Sequence, residues 1–549
     1  MKSKVLLIML LSNIVFGQAE YISIDHKIYS YFERMQILNI IVNYDLVHKP
    51  ITRSHASKLI SEIMEQKSKL DNTDLQLLNR YTQEFYYDMN ESTQNLSGLF
   101  QETDYNIFND KERFVYFYSD SGKGSLFVNT IWEAKSISTD KYSNLSPSIS
   151  GNLTGIFRGT ISNHFGFHLE GSNGNVFSNK KTALTERELA NNFKLNESSE
   201  QTFFDNTRGH LSLDFENVKF KLGREYISIG HGINKPIIDI YSPKFDHASL
   251  SIRLGKFSFD YLHGKLLGNK SFLTDSITGG IQKIEEKYFG YHRIGIAVSK
   301  DFNFGFGEMI VYSNRPPDLS YINPFNFYKS VEHASQDRDN SLLFFDVSNN
   351  SIDGLLFYST LLMDDIDYSK LGSGWWGNQL LYQIGISSYN FYNIIPIDFH
   401  IEYMRIDPYV FSHRLVSNNY SNFYYPLGTE LQPNSSNISL SMNYRFNYKL
   451  DFSLNLGYSI HGANPVDSLN NVIRNVGGDI NFGHRTFDSV SATFLDGEKE
   501  YLRKIAFNLN YEYKRGIDLQ LGGNYFSINK QLNEIQKYWS LYFLLKLII

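Results

Sequence analysis

Most of this sequence alternates apolar and polar residues with a period of two, from about residue 110 onward. In "LSIRLGKFSFDYL", Leu250, Ile252 and Leu254 alternate with polar neighbours before a Gly-Lys turn, and the alternation then resumes. The pattern recurs in "ISLSMNYRFNYKLDFSLNLGYSI" and "IAFNLNYEYKRGIDLQLGGNYF", with turns near Lys449–Asp451 and Lys514–Gly516. Each arm is about ten residues long, which is the length of a tilted transmembrane β-strand.

Short turns alternate with long polar segments, so the sequence predicts a sheet with two unlike rims. Outer-membrane barrels have this asymmetry, with short turns toward the periplasm and long loops outside. We therefore predict a large antiparallel transmembrane β-barrel over residues 110–549, with roughly 16 to 20 strands if each strand and connection takes about 24 residues. A soluble periplasmic β-sandwich is the alternative, but it needs a second layer to cover the many alternating aromatic faces.

The last residues, "YWSLYFLLKLII", also alternate. Trp539, Leu541 and Phe543 are expected outside and Ser540 inside, so that this strand closes the barrel against an early one. Outer-membrane barrels commonly end on an aromatic residue, whereas this chain ends on Ile549.

The N-terminal segment "MKSKVLLIMLLSNIVFGQAE" has a short basic region and an apolar run of about 12 residues. It predicts a cleaved signal peptide over 1–17 and export to the outer membrane of a Gram-negative bacterium. No later apolar run approaches about 18 residues, and the mean hydropathy is −0.32, which argues against membrane-spanning helices. The chain has no Cys, so disulfides, thiolate metal sites and a lipidated cysteine are excluded.

Residues 18–109 have a helical pattern and predict a small three-helix bundle followed by a linker. Apolar residues such as Ile28 and Phe32 recur at three-to-four spacing in the first helix. Thr52 or Ser54 is the expected N-cap of the second helix, and the third is expected after Asp71 or Asn72.

Charge and motifs narrow the functional class. The formal net charge is −6 with both signs interspersed, so no basic face for nucleic acid is indicated. The sequence has no Gly-x-Ser-x-Gly, no His-Glu-x-x-His and no phosphate-cradling glycine loop in context. We expect a monomeric protein that is not an enzyme and has no cofactor. A hydrolase site assembled from separate strands remains an alternative.

Four stretches of the sequence are "YFERMQILNII", "PITRSHASKLISEI", "GREYISIGHGINKPIIDIYSPKFDHASLSI" and "FGEMIVYSNRPPDLSYINPFNFYKSVEHASQDRDNSLLFFDV". They resemble the capsule-assembly Wzi family of outer-membrane proteins. The resemblance implies a barrel of about 18 strands, in outer-membrane lipid, whose periplasmic end is partly filled by the helical bundle. It also implies a lectin-like role that attaches capsular polysaccharide or exopolysaccharide to the cell surface. A porin or specific channel for small solutes or oligosaccharides is the alternative function.

Sugar binding requires flat apolar faces and planar polar side chains, and acidic polysaccharide adds a need for cations. "GSGWWGNQ" places Trp375 and Trp376 between glycines in an expected loop, and they are two of four tryptophans. They are the first sugar-stacking candidates, and a place in an interfacial aromatic girdle is the alternative.

The segment "RPPDLSYINPFNFYKSVEHASQDRDN" follows a strand and has no period. Non-periodic backbone at membrane depth must be buried in protein or line an aqueous lumen. We therefore predict that this segment leaves the wall on the outer side and folds over or into the barrel, as a structural plug or a glycan-binding loop. Its candidate glycan contacts are Arg315, Tyr321, Asn323, Tyr328, Glu332, Asp339 and Asn340.

Two strand charges are candidates for a network inside the lumen. Arg224 follows the outward phase of Phe220 and Leu222, and Glu308 follows that of Phe306. We expect a bulge near Gly223, exit from the bilayer, or a phase shift at Gly307 to explain them.

Two acidic clusters have oxygen ligands suited to Ca²⁺, but neither matches an EF-hand loop, so no metal site is predicted. The clusters are Asp337, Asp339 and Asn340, and Asp364, Asp365 and Asp367.

Overall fold

A computed structural model describes residues 18–549 except 43, 104, 142–146, 191, 193, 196–199, 276–278, 337, 391–396 and 531–534. Over 271–275 and 279–283 only the backbone is described. The predicted signal peptide, 1–17, lies outside the described residues. Among those residues, no helix combines the length and the apolar character needed to cross a membrane.

The strands alternate with turns along most of the chain, as the period-two pattern predicts. In chain order they are β1 His48–Lys49, β2 Leu96–Gly98, β3 Glu112–Phe114, β4 Tyr116–Asp120, β5 Gly124–Thr139, β6 Ser148–Ile161, β7 Phe165–Ser178, β8 Phe203–Asp214, β9 Val218–Glu225, β10 Ser228–Ile229, β11 Phe245–Leu254, β12 Phe257–Asp275, β13 Gly279–Ala297, β14 Phe302–Ser313, β15 Asn340–Ile352, β16 Leu355–Asp365, β17 Gln379–Ser388, β18 Ile397–Ile406, β19 Ser421–Asn422, β20 Tyr425–Pro426, β21 Ser435–Asn447, β22 Leu450–Ala463, β23 Glu498–Lys514, β24 Ile517–Lys530 and β25 Gln536–Ile548.

Over the described residues, these strands close an antiparallel barrel of 18 strands. The wall consists of β5 to β9, β11 to β18 and β21 to β25. Closure occurs where β25 pairs with β5, from Ser540 opposite Thr139 to Ile548 opposite Ile131. The short strand β4 continues the line of β25 along the same edge of β5. The predicted barrel class is confirmed.

The outward side chains of β25 show why a chain with this pattern forms a barrel. Trp539, Leu541, Phe543 and Leu545 are all exposed, while Ser540 between them points inward. An alternating strand buries its polar side and presents its apolar side to lipid.

The two rims differ in the length of their connections. One rim has tight turns, such as Gly255–Lys256 and Arg515–Gly516 where predicted, and Tyr448–Lys449 one residue earlier than predicted. The other rim has the long connections, at 179–202, 226–244, 314–339, 366–378, 407–434 and 464–497.

A helical bundle lies at the short-turn rim. Its helices are α1 Ile28–Ile37, α2 Arg53–Glu65, α3 Asn72–Glu84 and α4 Tyr86–Asn90, and four short helices in long connections are α5 Lys180–Ala183, α6 Arg187–Ala190, α7 Leu319–Ile322 and α8 Tyr328–Ala334. Thr52 and Asp71 are the N-caps of α2 and α3, accepting hydrogen bonds from the backbone N–H groups of His55 and Asp74.

Ion pairs connect the bundle to the short-turn rim. The Nζ atoms of Lys58 and Lys27 lie 2.6 Å and 3.4 Å from carboxylate oxygens of Glu216 and Asp451. Buried Arg34 donates to Asp74 within the bundle at 2.9 Å, and it also contacts Asp398 of the wall. These contacts place the bundle at the end of the barrel that the short turns define.

A hydrophobic core occupies the side of the lumen that β11 to β18 line. Two long connections, 226–244 and 407–434, turn inward and pack against the inner wall, with β10 pairing with β1 from the bundle. The core comprises, among others, Ile237, Phe289, Tyr291, Met309, Phe344, Phe411, Tyr420 and Leu427. The Tyr420 hydroxyl donates to the Ile237 carbonyl oxygen at 2.7 Å, so the two inward connections also hold each other.

Candidate functional site

The inward connection 226–244 is anchored on Glu402 of β18. Glu402 Oε2 accepts hydrogen bonds from the Ile233 N–H at 2.9 Å, the Tyr358 hydroxyl at 2.9 Å and Gln383 Nε2 at 2.9 Å. Its Oε1 accepts from the Asn234 N–H at 3.0 Å and from Asn234 Nδ2 at 2.7 Å. A carboxylate with this many donors is stabilised inside a protein although it is buried.

Gly232 permits this anchor. Its φ of +75° lies in the left-handed region, and an added Cβ would collide with Glu402 Oε2 and the Tyr358 hydroxyl. The glycine therefore allows the backbone to approach the carboxylate closely.

A second charged anchor lies beside the first, on β13 and β15. Arg293 donates to both carboxylate oxygens of Asp346, with Nε–Oδ2 and Nη2–Oδ1 distances of 2.7 Å, and His231 Nε2 lies 3.2 Å from Asp346 Oδ1. Buried ions require such pairing, so the charges inside this barrel hold the plug to the wall.

A cavity of about 220 Å³ separates α1 from the inward connection. Glu33, Lys235, Tyr389 and His400 are among its lining residues. Burial lowers the pKa of Lys235, and nearby Lys49 lowers it further. Burial alone would raise the pKa of Glu33, but Lys49 and Lys235 bring it below its usual value. The cavity has a mixed lining, with charged residues beside apolar ones such as Ile37 and Leu356, and it lies on the short-turn side of the plug.

Trp375 and Trp376 lie at the opposite, long-connection rim, where 366–378 meets 464–497. Trp376 stacks on His484 with ring centroids 3.8 Å apart and planes 5° apart, and it packs edge-on against Tyr409. Trp375 lies beside Trp376, and Lys370 Nζ is 3.9 Å from the Trp375 ring centroid. We call Lys370, Trp375, Trp376, His484, Arg485 and Phe487 the rim site.

The rim site combines aromatic surface with positive charge. Phe487 is 77% exposed, and the Arg485 guanidinium lies 4.5 Å from its ring centroid. Arg485 also donates to Asp488 at 2.8 Å. Burial would raise the pKa of Asp488, but the hydrogen bond from Arg485 holds it below the usual value. The site therefore presents rings to solvent with cations held over them.

The described residues of the segment 314–339 lie on the outer face of the barrel wall, so the prediction that it folds over or into the barrel is wrong. On β13, Tyr291 and Arg293 contact the lumen plug, which puts His292 between them on the outside. The Tyr328 ring packs against His292 with centroids 4.4 Å apart. We call residues 314–339 the outer flap. Sequence reasoning considered only the two ends and the lumen as places for such a segment.

The outer flap brings most of the candidate glycan-contact residues together, but their side chains bind one another and the wall. Arg315 Nη1 and Nη2 donate to Asp339 at 2.7 Å and 2.6 Å, and the Tyr321 hydroxyl donates to Asp339 at 2.8 Å. Glu332 accepts a hydrogen bond from Ser341 of the wall.

Three further candidates are bonded or buried within the protein. The Tyr328 hydroxyl donates to the Tyr321 carbonyl oxygen, Asn323 Nδ2 donates to Asn326, and Asn340 is buried in β15. None of the described contacts joins these flap residues to the rim site.

The expectation of a lumen network at Arg224 and Glu308 is wrong for both residues. Pairing of β9 and of β14 continues without a register shift, so each side chain keeps the outward phase. Arg224 forms an exposed 3.0 Å pair with Asp246 at the long-connection ends of their strands. Glu308 is buried because the outer flap covers it. Glu402 and Asp346 provide the inward charges instead, and their spacing gives no signal in the sequence.

The acidic clusters are used in protein contacts where they are described. Asp339 binds Arg315, the Asp364 carboxylate accepts from the Phe411 N–H, and Asp367 accepts from the Ser369 N–H at 3.0 Å. Asp337 lies outside the described residues.

Comparisons with known proteins bear on the fold. No protein-family model matches the chain, and no curated protein matches it by sequence. Among solved structures, the chain is similar to Wzi of Escherichia coli, described as an outer membrane protein involved in group 1 capsule assembly and as a carbohydrate-binding β-barrel. The TM-score is 0.56 with 10% identity over 96% of this chain and 99% of that one.

Similarity to Pseudomonas aeruginosa barrels is weaker. OpdK, solved with vanillate, has a TM-score of 0.44 and 10% identity over 77% of this chain and 98% of that one. OprD has a TM-score of 0.43 and 8% identity over 77% and 95%. The closed sheet and the similarity to Wzi show the fold of an outer-membrane β-barrel.

Proposed function

We propose that this protein is a Wzi-like outer-membrane barrel that binds capsular polysaccharide or exopolysaccharide at its rim site and helps hold it at the cell surface. The observation that carries the proposal is the rim site itself, an exposed aromatic and cationic surface at the end of the barrel opposite the bundle. The carbohydrate binding described for Escherichia coli Wzi, which has the same fold, supports it.

The chemistry of the rim site suits an acidic glycan. Pyranose rings pack on aromatic faces, and carboxylate groups of the polymer pair with cations. One face of Trp376 is occupied by His484, while Phe487 is exposed and Lys370 lies over Trp375. A polymer that crosses Phe487 and Trp375 would place its acidic groups near Lys370 and Arg485.

The lumen plug supports surface binding over conduction, which is the competing role of a barrel of this size. Core residues such as Phe289, Tyr420 and Phe411 occupy the side of the lumen that β11 to β18 line, and the bundle lies at the short-turn end. A freely conducting pore requires a continuous aqueous path, so a porin role would need such a path beside the plug or a plug that moves aside.

Binding of purified protein to defined polysaccharides tests the proposal. Surface glycan purified from the bacterium, polygalacturonate as an acidic polymer and dextran as a neutral one would be titrated by calorimetry. We expect Phe487→Ala combined with Trp375→Ala to weaken binding of the acidic polymer at least tenfold. Phe100→Ala is the matched control, because Phe100 is also 77% exposed but lies on the linker at the short-turn end.

Two results would count against the proposal. Equal affinity of the rim double variant and the Phe100→Ala variant would remove the rim site from binding. Large, steady currents from wild-type protein in planar bilayers, with no glycan binding, would favour the channel instead.

A further inference from the structure

The outer flap reaches deep along the wall of the barrel. Phe325 stacks on Phe259 of β12, with centroids 5.2 Å apart, and Phe327 packs near Phe306 of β14. Phe259 and Phe306 belong to one cross-strand row, because both are opposite Ile294 of β13. Phe306 precedes Ser313, the last residue of β14, by seven residues. Because the strand is tilted by about 40°, this separation is roughly 18 Å along the barrel axis. The apolar band of such barrels is about 25 Å tall, so the flap lies within the depth of the bilayer.

The wall beneath the flap includes a polar patch, which is unusual for a lipid-facing surface. Glu308 Oε2 accepts from the Tyr328 N–H at 2.8 Å, and its Oε1 accepts from the Lys329 N–H at 3.3 Å. His292 Nε2 lies 3.0 Å from Glu308, and the Tyr261 hydroxyl donates to the Ile322 carbonyl oxygen at 2.6 Å. A carboxylate facing hydrocarbon is costly, so this polar patch requires the flap to stay closed over it.

The exposed surface of the flap has a large apolar part between Leu319 and Phe327, and it also includes polar residues such as His333 and Gln336. Leu319 and Phe325 are 81% and 75% exposed, and Ile322 and Phe327 are exposed as well. Neighbouring wall residues such as Ile294 are also exposed and apolar. The outward surface of the flap is therefore continuous with the lipid-facing belt of the barrel.

We infer that the outer flap is a lipid-embedded arm whose exposed apolar side chains contact the acyl chains of the surrounding bilayer. Its backbone N–H groups satisfy Glu308, and its exposed apolar side chains replace the apolar strand surface that it covers. Backbone that is not part of the sheet is tolerated at this depth because its N–H and C=O groups have hydrogen-bond partners. Some are bonded within α7 and α8, and others are bonded to wall residues such as Glu308 and Tyr261. The inference does not depend on polysaccharide binding.

Spin labelling tests the inference directly, because the chain has no native Cys. Single variants Phe325→Cys and Phe327→Cys would be labelled with a nitroxide and reconstituted into vesicles of phosphatidylcholine and phosphatidylglycerol. Accessibility to oxygen, which concentrates in lipid, is then compared with accessibility to a water-soluble nickel chelate. Phe543→Cys on the belt and Phe487→Cys at the rim site are the lipid and water references, since both side chains are exposed.

We expect the oxygen-to-nickel ratio at both flap positions to match that at Phe543 and to exceed that at Phe487 at least fivefold. A ratio equal to that at Phe487 would place the flap in water and overturn the inference. So would low accessibility to both reagents, which would mean that protein covers the flap. Two flap positions are used so that a variant that fails to fold leaves the other to decide.

Discussion

Replacing Glu402 by Gln is expected to detach the lumen plug from the wall. The carboxylate accepts five hydrogen bonds, three on Oε2 and two on Oε1. An amide retains one oxygen and turns its NH₂ group toward the remaining donors, so at least two hydrogen bonds are lost in either orientation. At about 1.5–3 kcal/mol for each hydrogen bond to a charged group, the loss is roughly 3–6 kcal/mol.

Guanidinium unfolding in detergent micelles measures this loss, and planar-bilayer conductance shows whether the plug has moved. We expect the Glu402→Gln variant to unfold at a lower denaturant concentration and to open more often than wild type. Glu430→Gln is the matched control, since Glu430 has an exposed pair with Lys504 at 2.9 Å, and such pairs contribute about 0–1 kcal/mol. If both variants retain wild-type unfolding and conductance, the connection 226–244 is held by its apolar packing and the role assigned to Glu402 is wrong.

Two predictions concern the bundle. Thr52→Ala removes the N-cap of α2 and the acceptor of a 2.9 Å hydrogen bond from Lys219 Nζ, so it should cost about 1–2 kcal/mol in unfolding, with Thr52→Ser restoring most of it. Burial would raise the pKa of Glu84, but His26 and Arg80 hold it well below its usual value of 4.5. A depressed carboxyl pKa stabilises the fold above the unfolded value, so wild type should lose unfolding free energy as pH falls below about 4.5, and Glu84→Gln should show a shallower loss. An unchanged pH profile in that variant would show that the Glu84 pair contributes nothing.

The barrel and the helix starts follow from local patterns in the sequence. A period of two can be recognised from about ten neighbouring residues, without knowledge of the rest of the chain. Gly255 indicates a turn because glycine adopts the backbone conformations that tight turns require. Thr52 and Asp71 are recognisable as caps because the cap and the N–H group it binds lie within three residues.

The site depends on contacts between distant parts of the chain, which local patterns do not contain. The alternation in β14 places Glu308 on the outward face, where the structure has it. The N–H groups that bind its carboxylate lie 20 and 21 residues later, in a segment without a period. Trp376 stands out by its glycine neighbours, whereas its stacking partner, His484, follows more than a hundred residues later in another connection. Composition gives no indication of either pairing.

The plug and the outer flap are held by the same chemistry on opposite faces of the wall. Glu402 points inward and accepts the N–H groups of two successive residues, Ile233 and Asn234. Glu308 points outward and accepts the N–H groups of Tyr328 and Lys329. An unpaired carboxylate is costly among packed residues and in lipid, and Asp346 is paired by Arg293 of the wall itself. Glu402 and Glu308 are instead satisfied by two N–H groups of a connection, so the face on which each glutamate lies matches the side of the wall on which its connection docks.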